Sequence, residues 1–306
     1  MKKLKAMNSE TYRIRKFLDD QHGVRVALVN ATEAVREMQS IQSTGPIATL
    51  LVGRAMVGAT LMASQLKDGE VVSLYFKGDG PIEKVFAEAS FEGGVRGYVA
   101  HPHIDLPDNK GSVDLGSAIG KGLLTVVRTH PKRQSSQRGT VEIQTGEIGD
   151  DIAYYLQQSQ QIRSAIAVGV KMNEFGHIEA AGGVLIELLP AADANIEVIV
   201  EDQFRRAGSI SEAFARGDSA EQILDRYLGG FKIHELPHPH VVAYTCKCSR
   251  ERLLDAMELF TEEDLDDMIL KKKPVVARCE FCGRQYALEL AEISDIRNRR
   301  FSTKLH

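Results

Sequence analysis

The sequence predicts an α+β fold, with a mixed α/β core domain, a helical linker region and a small C-terminal domain that carries the cysteines. The chain has 306 residues, 43% of them hydrophobic, so it can bury one large core and one or two smaller ones. β-rich runs alternate with helical patterns up to Pro190, and helical patterns follow one another after it. We therefore expect a core over residues 1–190, a linker over 191–240, a cysteine domain over 241–296 and a tail over 297–306.

The core domain combines short strands with three helical segments. Runs rich in β-branched and aromatic residues predict strands near Val71–Lys77, Val95–Ala100, Leu123–Thr129, Ala165–Met172 and Gly183–Leu189. Apolar residues at helical spacing predict helices over Thr32–Gln42, Pro46–Leu66 and Asp150–Arg163. The pairs Gly93-Gly94 and Gly182-Gly183 are expected at turns or where two segments approach closely.

The linker region is predicted to contain consecutive helices between Ala191 and Leu228. Ser211 and Asp218 are the expected N-caps, and the last helix is expected to end at Gly229-Gly230. The segment holds more apolar residues than a solvated spacer needs, namely Ile196, Val198, Ile199, Val200, Phe204, Ile210, Phe214, Ile223, Leu224, Tyr227 and Leu228. We therefore expect these helices to cover an apolar surface elsewhere in the protein.

A proline-stiffened connector, residues 234–240, leads into the C-terminal domain. Two amphipathic helices are expected inside that domain, at Ser249–Phe260 and Thr261–Lys271. They supply its only predicted core. A domain below about sixty residues is only marginally stable without an additional cross-link such as a metal site. The basic tail from Arg297 onward is expected to be loose.

The four cysteines have the spacing of a metal site. Cys246 and Cys248 form a Cys-x-Cys pair, and thirty residues later Cys279 and Cys282 form a Cys-x-x-Cys pair followed by Gly283. Two close pairs separated by a small fold are typical of a tetrahedral Cys₄ zinc site. We therefore expect one Zn²⁺ per chain, bound by all four thiolates and contributing much of the folding free energy of the domain.

The same spacing suits a redox switch. A Cys-x-Cys disulfide closes a small, strained ring, which makes it easy to reduce again. Thiolates held by zinc are already in the form that peroxide attacks, and Lys247, Arg250, Arg278 and Arg284 would offset their charge. Spacing alone leaves a second interpretation open, a purely structural zinc domain that serves as an interaction or nucleic-acid-binding module.

Charge and hydropathy argue against several classes of function. The net charge is −4 and the pI is near 6.2, so there is no overall basic field for nucleic acid or an anionic membrane. Lys271-Lys272-Lys273 are basic, but acidic residues crowd the same domain. No apolar run follows Met1-Lys2-Lys3-Leu4-Lys5, and none reaches the roughly 18 residues of a membrane span. We expect a cytoplasmic protein without nucleic-acid or membrane partners.

Other candidate sites are weaker. His101, His103 and Asp105 could share one face of a strand, but no fourth metal ligand accompanies them. His234, His238 and His240 are expected to be ordinary exposed histidines. Gly78-Asp79-Gly80-Pro81 lacks the Lys-Ser/Thr of a phosphate-binding loop and predicts a β-turn. A thioredoxin-like use of Cys279 and Cys282 would require the motif near the first strand. We find no enzyme signature.

Several stretches together resemble the redox-regulated 33 kDa chaperonin family. They are the two cysteine motifs, Gly78-Asp79-Gly80-Pro81, Gly97-Tyr98-Val99 with Asp105-Leu106-Pro107, Gly120-Lys121-Gly122-x-Leu124-Thr125-Val126, and Gly146-Glu147-Ile148-x-x-Asp151-Ile152-Ala153-Tyr154-Tyr155-Leu156-x-x-Ser159. The resemblance covers about Lys16 to Ala287. It departs from the family at His101-Pro102-His103-Ile104, where Asn-Pro is usual, and at Ala287-Leu288-Glu289-Leu290, where acidic and aromatic residues are usual.

The resemblance implies a chaperone that is inactive when reduced and zinc-bound. Oxidation combined with unfolding stress would release zinc and form the disulfides Cys246–Cys248 and Cys279–Cys282. The linker would then unfold, and the exposed apolar surface would capture unfolding client proteins without ATP, often as a homodimer. An apolar linker restrained by a metal-dependent domain is physically suited to such two-state behaviour.

Overall fold

The computed structural model describes residues 12–106, 114–130, 135–238 and 240–301, and its contacts divide the chain into two units, residues 1–245 and residues 246–306. It confirms the α+β prediction. Pro107, and residues 302–306 of the predicted tail, lie outside the described residues.

The first unit is built from two sheets. Its strands are β1 (Ile14–Asp19), β2 (Val24–Asn30), β3 (Val71–Gly78), β4 (Lys84–Ser90), β5 (Gly94–Val99), β6 (Gly122–His130), β7 (Ser135–Glu142), β8 (Arg163–Met172), β9 (Ile178–Leu188), β10 (His234–Leu236) and β11 (Ala243–Tyr244). One sheet has the order β10-β1-β2-β9-β8 and the other β11-β5-β4-β3-β6-β7. All neighbours are antiparallel except β11, which runs parallel to β5.

The helices of the first unit lie in two groups. They are α1 (Thr32–Gln42), α2 (Pro46–Ala63), α3 (Leu115–Ile119), α4 (Ile148–Gln160), α5 (Ala194–Arg206), α6 (Ile210–Arg216) and α7 (Ala220–Leu228). Helix α2 packs against strands of both sheets and is buried on nearly every side, so it forms the centre of the main core. Its length and composition would suit a membrane span, but 78% of it is buried inside the protein, as expected of a core helix.

The linker helices cover the other face of the five-stranded sheet. Helices α5, α6 and α7 pack against Phe17, Val24, Val26, Leu28, Val184, Ile186 and Leu188. Helix α6 lies so close to β9 that a Cβ on Gly182 would be 2.3 Å from the Phe214 ring, which only glycine allows. The surface that the linker was expected to cover is therefore this sheet face.

The predicted N-caps of the linker helices are wrong. Helix α6 begins after Ser209, whose hydroxyl accepts from the Glu212 N–H, and helix α7 begins after Ser219 in a capping box with Gln222. Ser211 lies inside α6, where packing on the sheet buries it. Asp218 pairs with Arg216 and Arg226 instead of capping a helix.

Two polar contacts fix the end of the linker to β1. The buried Asp19 carboxylate accepts hydrogen bonds from the backbone N–H groups of His22 and Lys232, at 2.9 and 3.0 Å. Burial opposes its ionisation, but these bonds and the His22 side chain outweigh burial and hold the pKa of Asp19 below its ordinary 3.8. Arg15 of β1 binds Glu235 of β10 and Glu221 of α7.

Most predicted strands and helices are present. Strands β1, β4 and β7 were not predicted, because charged or small polar residues interrupt or replace their apolar pattern. Strand β2, helix α3 and the short strands β10 and β11 were not predicted either. The prediction of a loose tail from Arg297 is wrong up to Phe301, since helix α10 (Leu290–Phe301) runs through it with Ile293 and Ile296 buried. The borders of the three functional segments remain predictions.

We expect Ile223→Ala to loosen the linker selectively. Ile223 in α7 is fully buried against the sheet, so its truncation should cost about 2–4 kcal/mol, whereas Val198→Ala, at a side chain 65% exposed on α5, should cost less than about 0.5 kcal/mol. Hydrogen exchange should become faster in α5–α7 while α2 stays protected. Equal exchange in the two variants would contradict the packing described for α7.

We expect Asp19→Asn to lower stability in a pH-dependent manner. Because the pKa of Asp19 is lowered in the folded protein, its contribution is complete above its ordinary pKa of 3.8 and disappears as the pH falls through the folded-state value. The free-energy difference between wild type and variant, measured by urea unfolding, should therefore shrink from pH about 5 to pH about 2. A constant difference over this range would show that the Asp19 charge does not contribute.

Candidate metal centre

The second unit, residues 246–306, is small and has its own core. It contains helices α8 (Arg250–Met257), α9 (Glu262–Leu270) and α10 with a two-stranded sheet, β12 (Val275–Arg278) and β13 (Gln285–Leu288). The predicted pair of helices is confirmed, with Ser249 and Thr261 as N-caps. The buried core consists of Met257, Leu265, Leu288, Ile293 and Ile296. So few buried side chains leave the unit dependent on additional cross-links.

The hairpin between β12 and β13 positions Cys279 and Cys282. The Cys279 N–H donates to the Arg284 carbonyl at 2.9 Å, and the Gly283 N–H donates to the Cys279 carbonyl at 2.8 Å. Gly283 adopts a φ of 68°, in the left-handed region that glycine tolerates best. The Arg284 backbone N–H donates to the Cys282 sulfur. The turn expected after the last cysteine is therefore present.

The other pair enters the site from the segment before α8. Cys248 directly precedes Ser249, the N-cap whose hydroxyl accepts from the Arg252 N–H. The Cys248 backbone N–H donates to the Cys246 sulfur. N–H groups directed at sulfur stabilise thiolates, so both pairs carry the backbone donors that a thiolate site requires.

The four sulfur atoms converge on one point. All Sγ atoms lie within 4.8 Å of one another, with Cys246–Cys279 at 3.6 Å and Cys248–Cys282 at 3.3 Å. Four sulfurs placed about 2.3 Å from a central zinc ion would be about 3.8 Å apart. Number, ligand type and spacing therefore fit a tetrahedral Zn²⁺ site, and all four predicted residues are brought together.

The thiols differ in acidity. Burial raises the pKa of Cys246 and raises that of Cys282 to about 12. Burial opposes the ionisation of Cys248 as well, but a hydrogen bond from the Tyr286 hydroxyl and its thiol neighbours lower its pKa to about 7. Cys248 therefore ionises more readily than Cys246 or Cys282, and a bound cation would favour the thiolate at every position.

Tyr286 was not predicted as part of the site. Its hydroxyl lies 3.2 Å from the Cys248 sulfur and also interacts with Arg284, whose charge lies close to Cys248 and Cys282. Tyr286 lies in β13, whereas Cys282 and Arg284 precede that strand, so strand alternation gave no signal for it. Of the expected basic residues, Arg250 is instead bound to Glu292 at the start of α10.

The remaining candidates do not form metal sites. Among the residues that the structure describes, the four cysteines are the one group of three or more potential ligands that converges. His101 contacts Glu83 on the surface, and His238 and His240 pack edge-to-face on Phe91. Gly78-Asp79-Gly80-Pro81 leads into a turn that the Glu83 N–H closes by donating to the Gly80 carbonyl at 2.9 Å, in agreement with the β-turn interpretation.

Fold and site together define an α+β protein whose apolar linker helices cover one sheet and whose second unit can bind a metal through four cysteines. The model of the family described as Hsp33 protein matches residues 13–289. The chain belongs to the Hsp33 family.

Individual relatives agree with this membership. Proteins named 33 kDa chaperonin from Desulfotalea psychrophila and Geobacillus kaustophilus are each 36% identical, over 88% and 90% of this chain and 92% and 93% of their own. The crystal structure of the 33 kDa chaperonin, or heat shock protein 33 homolog, from Thermotoga maritima matches with a TM-score of 0.83 at 28% identity. That match covers 95% of this chain and 99% of the other.

We expect Gly283→Ala to weaken metal binding by about 5–30-fold, because a side chain in the left-handed region costs roughly 1–2 kcal/mol. Glu280→Ala is the matched control, since Glu280 is exposed in the same turn, and should change affinity by less than about twofold. Competition with a chromophoric chelator under reducing conditions measures both affinities. Equal losses in both variants would argue against a role for the turn conformation.

Proposed function

We propose that this protein is a redox-regulated, ATP-independent chaperone that holds unfolding and oxidatively damaged proteins and protects them from aggregation. The observation that carries the proposal is the combination of a four-thiol cluster in a small unit with an apolar sheet face that only the preceding linker helices cover. Membership of the Hsp33 family, and relatives named 33 kDa chaperonin, support the chaperone function. The proposal involves no enzymatic step.

The proposed ligands of one Zn²⁺ are Cys246, Cys248, Cys279 and Cys282. When bound, the ion would cross-link the segment before α8 to the β12–β13 hairpin and keep all four thiols deprotonated. The backbone N–H groups of Cys248 and Arg284 then stabilise the sulfur charge that remains. With five residues in its buried core, the unit would depend on this cross-link for most of its stability.

Oxidation is proposed to remove the ligands two at a time. Each disulfide forms when two zinc-bound thiolates give two electrons to a peroxide, which takes two protons from the solvent and is reduced to water. We propose the pairing Cys246–Cys248 and Cys279–Cys282, which follows from the family resemblance. The shorter sulfur contacts join Cys246 to Cys279 and Cys248 to Cys282, so the pairing requires direct mapping.

Activation is proposed to end with the release of the linker. The linker helices lie before the cysteine unit in the chain, and a segment of seventeen residues, 229–245, connects them. Loss of the helices α5–α7 would expose Phe17, Val26, Leu28, Val184, Ile186 and Leu188 on the sheet, together with the apolar sides of the helices. A large contiguous apolar surface binds other exposed apolar chains without a sequence code.

We propose the cellular compartment and the partners of the protein from the same chemistry. Four reduced cysteines suit a reducing compartment, so we place the protein in the cytoplasm. Its partners would be unfolding clients and, in the active form, a second copy of the chain. We propose no nucleic-acid or membrane partner; a structural zinc unit that binds nucleic acid is the alternative.

We expect peroxide at elevated temperature to release zinc and to switch on protection of a thermally unfolding client in the same sample. Zinc is measured with a chelating dye and protection by light scattering, and a thiol reductant with added zinc should reverse both. Heat alone is the control. Mass spectrometry of the oxidised chain should find Cys246–Cys248 and Cys279–Cys282.

Zinc release without protection would leave a structural zinc unit and would reject the chaperone proposal. Cross-pairing of Cys246 with Cys279 would reject the disulfide assignment alone.

A further inference from the structure

The outer edge of β1 is covered by a short and interrupted strand. Strand β2 pairs with β1 over six residues, whereas β10 pairs with it over three, Leu236 to His234 opposite Lys16 to Leu18. Pairing resumes only at Arg13 and Val241, and the sequence between contains two prolines that cannot donate a backbone hydrogen bond. The covering strand therefore pairs with half of β1, and the cover is completed by a backbone hydrogen bond from the Ile14 N–H to the His240 carbonyl at 3.3 Å.

The Arg15 guanidinium adds a side-chain link to this cover, beside the hydrogen bond from the Lys232 N–H to Asp19. Arg15 of β1 donates to both carboxylate oxygens of Glu235 in β10, at 2.8 and 2.7 Å, and to Glu221 of α7 at 3.0 Å. The Arg15 side chain is 28% exposed and lies over the Phe17 ring. Both carboxylates come from segments that leave when the linker is released, so Arg15 would then lose both partners.

The cover is also loosely packed around Arg15. A cavity of about 330 Å³ lies between β1, α7 and β10, lined by Phe17, Leu224, Leu228 and Phe231. A second cavity of about 320 Å³ lies between β1 and the α6–α7 turn, lined by Leu28 and Phe214. Arg15 borders both. Space of this size beside an edge strand can accept side chains other than those now present.

We propose that the outer edge of β1 is a docking strand for an extended segment of an unfolding client, and that β10 occupies it as a built-in placeholder. The inference rests on the proposed chaperone function and identifies where and how a client segment binds. An exposed strand edge presents unpaired N–H and C=O groups to which another chain can add.

The placeholder indicates the chemistry of the client segment. Phe231 and Ile233 pack against the apolar cluster under the linker, and two residues later Glu235 binds Arg15. Between them, the Lys232 N–H is held by Asp19. A matching client segment alternates two apolar residues with polar ones and ends with a carboxylate that lies opposite Phe17 and binds Arg15. Acidic–apolar extended segments should therefore bind in preference to basic ones.

The test uses the full-length chain, before and after oxidation, and fluorescent peptides with the sequence of residues 231–237. The natural peptide should bind only the oxidised chain, and at least about tenfold more tightly than a Glu235→Lys peptide. In the Arg15→Glu chain the preference should reverse. Arg205→Glu, an equal charge change at an exposed position on α5, should leave it unchanged.

Strand pairing is tested separately with alternately N-methylated peptides. A strand directs alternate N–H groups to its neighbour, so methylation of one alternate set should abolish binding and methylation of the other should be tolerated. This comparison needs only the wild-type chain and stays decisive if Arg15→Glu fails to fold. Equal binding of all peptides, or no peptide binding by the oxidised chain, would overturn the docking-strand proposal.

Client protection measured on the same samples separates the two proposals. If the oxidised chain protects the client but binds the natural and the Glu235→Lys peptides equally, the chaperone proposal stands and the docking strand is rejected. A lack of protection after oxidation would reject the chaperone proposal itself. Dimers of the oxidised chain that exclude the peptide would assign the edge to β10 of a second copy and reject the client assignment.

Discussion

The apolar outer face of the five-stranded sheet is the constraint on which the rest of the first unit depends. Its other face packs on α2 and belongs to the main core, so the sheet is apolar on both sides and needs a cover on each. Helices α5, α6 and α7 supply the second cover, and β10 then closes the edge of the same sheet. The segment is thus a structural layer of the unit, although its position after Pro190 suggests a connector.

The second unit is subject to the opposite constraint. Its core has five buried residues, while Leu259, Leu270 and Val276 remain 84%, 75% and 60% exposed. Hydrophobic burial of this extent supports little stability, so the proposed metal cross-link would contribute a large share of the folding free energy of this unit. A chemical change at sulfur can therefore alter the folding of this unit without altering the main core.

Local chemistry could be predicted from the sequence and long-range partners could not. The four cysteines were identifiable because ligand type and spacing are local properties, and the helices of the second unit followed from Ser249 and Thr261. Tyr286 was missed because its partner Cys248 is 38 residues away. Strand β1 was missed because half of its residues are charged. The ion pairs of Arg15 could not be predicted, because its partners are 206 and 220 residues away. Helix caps failed where two serines compete, since packing of Ile210 decides which one begins α6.

The pairing of β1 with β10 has a consequence for synthesis on the ribosome. Residues 19 and 234, which bound the two strands, are 215 positions apart, so β1 emerges long before its edge can be covered. At about 5–20 residues per second, that interval is roughly 10–40 s. During this interval β1 keeps an open strand edge, and once β9 has been made the apolar sheet face is uncovered as well, the combination that promotes aggregation. Each newly made copy thus passes through the kind of exposed state that a chaperone recognises in other proteins.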